Sequence, residues 1–182
     1  MLHLGELRMA NDLIVKSEML EDFQRFLLKP LEKILGGNIV VCNETSEIGK
    51  LLATRSGVDA LLIQSGRVNG IGIRVLYDNN DRKFTFDRHC VTGVCTKYEH
   101  FFMRRAIGSF TSVFNVQAYI DRDRTCLLGA AVAKSDDIYC NIVVNEQTVS
   151  QKRCPQTYIV DWDTLRNNGV WIHEFKHNEE TL

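Results

Sequence analysis

Hydrophobic positions along the chain change their period several times, and each change marks an element. Between Asn11 and Leu35, Met19, Leu20, Phe23, Phe26, Leu27 and Leu31 recur at helical spacing, while Glu18, Glu21, Asp22 and Arg25 fall on other faces. The pattern predicts a helix with Ser17 capping its main part, Pro30 kinking or breaking it, and Gly36-Gly37 ending it. Ile39–Cys42 reads as a short strand, and Glu44–Thr54, with Ile48, Leu51 and Leu52, as a second helix. The stretch Gly57–Tyr77 then carries two β-rich segments, Val58–Gln64 and Val68–Tyr77, about the turn Ser65-Gly66-Arg67. That is a hairpin signature.

After the turn signal Asp78-Asn79-Asn80-Asp81, Lys83–His89 alternates, with Phe84 and Phe86 on one side and Thr85 and Asp87 on the other. It reads as a third strand. Cys90–Cys95 reads as a loop, and Thr96–Phe110 as a helix whose apolar side is Tyr98, Phe101, Phe102 and Ile107. Val113–Ile120 and Cys126–Ala133 are strands about a turn at Asp121-Arg122-Asp123-Arg124. A short helix from Lys134, a strand at Thr157–Val160, a helix near Thr164–Asn167 behind Asp161-Trp162-Asp163, and a strand at Val170–Phe175 complete the order. Strands outnumber helices, which predicts an α/β or α+β fold: a mixed sheet flanked by helices.

Composition narrows this picture. The 182 residues, 45% of them hydrophobic, suit one compact domain over 1–182. A net charge of −1 argues against a polyanion-coating protein, so any nucleic-acid contact must come from a local patch. No apolar run approaches the roughly 18 residues a membrane span requires, and the first residues lack a secretory pattern. The six cysteines are scattered among apolar residues, which reads as reduced thiols in a cytoplasmic protein.

The candidate chemistry centres on the hairpin. Asp59 opens one strand and Arg74 sits inside the apolar run of the next. A helix with glutamates, an Asp-bearing strand, a tight turn, a strand with a charged residue, a further strand, a helix and a strand follow in order. This succession, over roughly 18–133, resembles the PD-(D/E)XK superfamily, the restriction-endonuclease-like nucleases, whose usual core is a helix, three antiparallel strands, a helix and a strand. Residues 134–182 are then a C-terminal extension packing on that core. By that resemblance, the family's metal-binding Asp falls on Asp59. Its second acid, intervening residue and lysine fall on Gly72-Ile73-Arg74, so the second acid is missing and the lysine is arginine. The helical glutamate of some members falls on Glu18 or Glu21.

The resemblance implies a Mg²⁺-dependent nuclease acting on nucleic-acid phosphodiesters. Asp59 and Glu99 are its metal ligands, Glu99 standing in for the second acid with Glu47 and Asp87 behind it. Arg74 stabilises phosphate charge but stays protonated and cannot act as a base. Lys97, Arg104, Arg105 and Gln117 are the substrate-binding candidates, and Asp121 flanks the same strand as Gln117. Small nucleases of this type often work as dimers, so a homodimer is one arrangement the resemblance admits.

Other readings stand beside this one. The missing acid at Gly72 favours a catalytically inactive nucleic-acid- or protein-binding protein on the same scaffold, an inhibitor or accessory factor. A structural homo-oligomer is a third reading. Asp59 also suits a plain role, accepting hydrogen bonds from backbone donors at a strand start, and Arg74 suits a structural ion pair. His89, Cys90, Cys95 and His100 do not match a common zinc spacing, and nothing in the sequence orders Cys95 with His100 as a nucleophile pair. Phe84, Phe86, Phe101 and Phe102 read as core.

Overall fold

The computed structural model describes residues 17–42, 46–77, 80–87, 97–144 and 157–176. Helix α1 covers residues 17–26, with Ser17 itself helical, and α2 covers Leu28–Leu35. The break falls at Leu27 (φ −123°, ψ −18°), one turn ahead of Pro30. A proline ring clashes with the carbonyl four residues earlier and leaves it without a donor, so the disruption appears upstream of Pro30. Gly36, at φ 71°, caps α2 in the left-handed conformation.

Strand β1 (Asn38–Val41) leads to α3 (Glu47–Ser56), whose Ser46 Oγ accepts from the Gly49 N–H at 3.0 Å. Strands β2 (Ala60–Gln64) and β3 (Arg67–Tyr77) form the expected hairpin. Both turn residues, Ser65 and Gly66, have positive φ (41° and 80°), which matches the right-handed twist of the flanking strands. Then come β4 (Lys83–Asp87), α4 (Lys97–Ala106), β5 (Ser112–Ile120), β6 (Leu127–Lys134) and α5 (Ser135–Cys140). The order closes with β7 (Val143–Val144), β8 (Thr157–Asp161), α6 (Trp162–Asn167) and β9 (Ile172–Lys176).

The main sheet is six-stranded and mixed, in the order β1-β2-β3-β5-β6-β9. Neighbours are antiparallel except β3 and β5, which are parallel and joined across α4. The third antiparallel strand beside the hairpin is β1. The Lys83–Asp87 strand, read from sequence as the hairpin's sequel, instead joins a separate three-stranded sheet, β4-β8-β7. Its two faces explain the difference. Phe84 and Phe86 are buried, and Thr85 on the other face is buried too, so β4 is sandwiched instead of lying at the edge of the main sheet. The segment after 134 is more than an added layer, because β9 completes the main sheet and β7 and β8 build the second.

Strand alternation separates two cores. On one face, Ile71, Ile73, Val75, Val116, Ala118, Ile120, Ala130 and Val132 pack under Phe23 of α1, Leu27 at the break and Leu31 of α2. On the other, Tyr119, Ala131 and Ala133 pack with Phe84, Phe86, Phe101, Tyr139 and Trp162 from the second sheet and α4–α6. Gln117 links the two sheets. Its Oε1 accepts from the Thr85 N–H at 2.8 Å and its Nε2 donates to the Tyr119 hydroxyl at 2.8 Å. That hydroxyl in turn donates to the Lys83 carbonyl at 2.9 Å.

Burial pushes the Tyr119 phenol up to about 12, while its hydrogen bonds and the Arg74 charge pull the other way. A pKa raised on folding favours the neutral phenol. The associated stability is therefore intact below about pH 10 and lost as pH rises through about 12, an effect of about 2–3 kcal/mol. Burial raises Tyr77 as well. Denaturant titrations at pH 9 and pH 12 are expected to show this loss, and Tyr119→Phe to remove part of the pH slope. A stability unchanged between the two pH values would contradict it.

Among the described residues, no helix is long and apolar enough to cross a membrane. The described cysteines, Cys42, Cys126 and Cys140, form no disulfide.

Candidate functional site

Asp59 sits just ahead of β2 and ties three strands together. Its N–H donates to the Ile71 carbonyl at 2.8 Å, and its own carbonyl accepts from the Cys42 N–H at 2.9 Å. Its carboxylate Oδ2 accepts from the Ile73 N–H at 2.8 Å, and the residue is only 2% exposed. Asp59 thus binds both neighbours of Gly72. The backbone role anticipated for it is present in full: a carboxylate satisfies a strand N–H that a short β2 would otherwise leave unpaired.

Arg74 lies two residues beyond Gly72. Since Ile71, Ile73 and Val75 face α1 and α2, Gly72 and Arg74 share the opposite face. Arg74 is half-buried, opposite Gln117 on β5, and its charge is felt by Tyr119. The Asp59 carboxylate meets the backbone of the residue just before Arg74.

The space over Gly72 is occupied from another strand. Gly72 is paired in register with Asn115 of β5, and Asn115 alternates onto the same face. A Cβ built on Gly72 would lie 2.5 Å from Asn115 Oδ1 and 3.1 Å from the Gly57 carbonyl oxygen. Asn115 is 8% exposed, and its Nδ2 donates to Ser135 Oγ at 2.7 Å. The Ser135 hydroxyl lies 3.5 Å from that of Ser112. A buried polar chain, Asn115–Ser135–Ser112, therefore turns the amide oxygen toward Gly72.

The remaining candidates divide. Lys97 and Glu99 are placed on α4, which packs beside α3 and β4, but their side chains lie outside the described residues. Arg104 is half-buried on the same helix, and Arg105 is exposed and bonded to Asp136 at 2.6 Å. Gln117 is 1% exposed with both ends of its amide engaged in the bridge between the sheets. Glu18 is on α1, across the sheet from Asp59, where it meets Arg124 at 3.2 Å; Glu21 lies on the same helix. Asp121 caps the β5–β6 turn, and the Cys126 N–H and Thr125 hydroxyl hold its carboxyl below the usual range. His89, Cys90 and Cys95 and the side chain of His100 lie outside the described residues, as does the Asp87 side chain.

Among the described residues, no three His, Cys, Asp or Glu side chains gather into a group suited to a metal ion. Asn115 Oδ1 and the Gly57 carbonyl lie against Gly72, and the Asp59 carboxylate bonds the N–H of the next residue, Ile73. Sequence reasoning passed over Asn115. The available signal was an amide in a strand interior, where Asn is depleted.

No family model, no curated protein and no solved structure matches this chain.

Proposed function

We propose that this chain is a divergent restriction-endonuclease-like domain that engages nucleic-acid phosphodiesters at the Asp59–Gly72–Arg74 corner. The observation that carries the reading is the pairing of Asp59 with both neighbours of Gly72, with Arg74 one step along the same face. The element order supports it. A helix, the successively antiparallel strands β1, β2 and β3, helix α4 and a β5 parallel to β3 give a related order, with α3 inserted between β1 and β2 and with β4, the strand expected to be third, in the other sheet.

In this reading, Asp59 would be the carboxylate that holds a divalent cation. When bound, such a cation polarises a phosphoryl oxygen and lowers the pKa of a coordinated water. Arg74 supplies a permanent positive charge for the phosphate oxygens and takes no proton. Gly72 brings no side chain of its own, and Asn115 of β5 fills the space above it.

A second reading, binding without cleavage, is favoured by the same corner, because no carboxylate stands at position 72. A direct assay separates the two. Purified protein is mixed with end-labelled DNA and RNA in Mg²⁺ or Mn²⁺, with Asp59→Asn as the test variant. Asparagine keeps an oxygen for the Ile73 N–H and removes the charge, exchanging the other oxygen for an amide NH2, whereas alanine would strand a buried donor. Cleavage is expected to fall about a hundredfold or more in Asp59→Asn at unchanged melting temperature. Full cutting by that variant sinks the nuclease reading. Retention of nucleic acid without cutting by the parent chain selects the second reading, and absence of both rejects the proposal.

A further inference from the structure

We infer that Glu32 is a latch on the outer edge of β1, and that the strand it covers is shaped to pair with β1 of a second copy of this chain. Neither half depends on the chemistry of the Asp59 corner.

Strand β1 ends the main sheet, and its backbone groups alternate in direction. The Cys42 N–H bonds the Asp59 carbonyl at 2.9 Å, in line with the β1–β2 register, so the even-numbered residues of β1 point at β2. Ile39 and Val41 therefore point their N–H and C=O groups away from the sheet. The outward Ile39 N–H donates to Glu32 Oε1 at 2.9 Å, and Glu32 Oε2 accepts from Lys29 Nζ at 2.7 Å. The Gly36 and Gly37 N–H groups both bond the Glu32 carbonyl, which fixes the turn from α2 into β1. Lys29 and the Ile39 N–H hold the Glu32 carboxyl below its usual range, so the latch is charged at neutral pH.

The strand itself carries none of the usual safeguards of an edge. Its sequence, Asn-Ile-Val-Val, holds no proline and no charge. Val40 lies with Leu61, Ile63 and Val68 on the face turned away from α1 and α2, and Val40, Ile63 and Val68 are 49%, 42% and 50% exposed. An antiparallel second β1 would satisfy the outward groups of Ile39 and Val41 with the same groups of its copy and join the two aliphatic patches. Charge favours a second copy as the occupant. Helix α2 carries Lys29, Glu32 and Lys33 beside this edge, with both lysines exposed. A two-fold axis at β1 runs α2 antiparallel to its copy and sets the acid of each against the lysines of the other, so a Glu32 that leaves Ile39 finds a cation across the contact.

The test is sedimentation of the full chain over a concentration series, with amide hydrogen exchange alongside. Glu32→Ala frees the Ile39 N–H and is expected to raise the dimer association constant about tenfold or more over the parent, as a discrete dimer that dissociates on dilution. Glu32→Ala with Val40→Lys places a like charge from each copy at the junction, at a position already half open to solvent, and is expected to return association to the parent's level. Exchange of the Val41 amide is expected to slow as the concentration of Glu32→Ala rises, a signature that misfolding does not produce. Equal association of Glu32→Ala and the parent overturns the latch. Association that survives Val40→Lys, or that leaves Val41 exchange independent of concentration, places the contact elsewhere and overturns the β1 pairing, as does open-ended aggregation in place of a dimer.

Discussion

Gly70→Ala is expected to lower folding stability by about 3 kcal/mol or more, a large part of what a domain of this size has in reserve. A Cβ at that position would lie 2.6 Å from Val58 Cγ2, 2.7 Å from the Thr111 carbonyl oxygen and 3.2 Å from Ser112 Cα. Two of these atoms belong to the backbone of the segment that starts β5, so no rotamer change relieves the clash. The register between β3 and β5 also shifts at this point, between Gly70 and Ile71. Glycine in a strand commonly marks such a bulge and a close backbone approach. Gly66→Ala is the contrast. Its φ is 80° and nothing lies within 4 Å of the added carbon, so only local strain of about 1 kcal/mol is expected. Denaturant melts of the two variants check the ranking, and a Gly70→Ala loss no larger than that of Gly66→Ala would contradict it.

Arg124→Ala is expected to cost about 3 kcal/mol, and more than Asp22→Ala. Asp22 on α1 is 3% exposed. Its Oδ2 accepts from Arg124 Nε at 2.7 Å and from the Tyr77 hydroxyl at 2.7 Å, and its Oδ1 from Arg124 at 3.2 Å. Removing Arg124 leaves a buried carboxylate with a phenol and no countercharge. Removing Asp22 leaves a guanidinium that is 32% exposed and retains Glu18 at 3.2 Å. The asymmetry follows from the greater cost of a buried charge left alone. Paired melts of the two alanine variants test it, and a larger loss for Asp22→Ala would reverse the assignment. The contact docks α1 on the sheet. The β5–β6 turn presents Arg124 at φ 58°, and Asp121 secures that turn through Thr125 and Cys126.

Much of the element order was legible along the chain. Local chemistry set it: the apolar spacing around Phe23 and Leu31, the capping glycines Gly36 and Gly57, and the Ser65-Gly66 turn. Pro30 signalled a break, but one turn later than it fell, because the clash acts on a residue upstream. The candidate corner was half legible. Asp59 and Arg74 stood out as charges among apolar residues; the structure seats the Asp59 carboxylate on the Ile73 N–H and sets Arg74 opposite Gln117. Gln117 also stood out, yet its amide is consumed between the sheets, since a polar side chain in a strand satisfies an internal partner as readily as it faces a ligand. Asn115 carried little signal alone, because its meaning depends on Gly72 lying opposite.

The sequence by itself determined the helices, the strands, the tight hairpin and the mixed α/β character, since these follow from periods, caps and turns spanning a few residues. Only the tertiary structure decided that β1 rather than β4 completes the antiparallel trio, and that β5 runs parallel beside β3. It also decided that an asparagine from β5 fills the space above Gly72. Strand partnership depends on which faces bury together across long separations, and no local pattern encodes that choice.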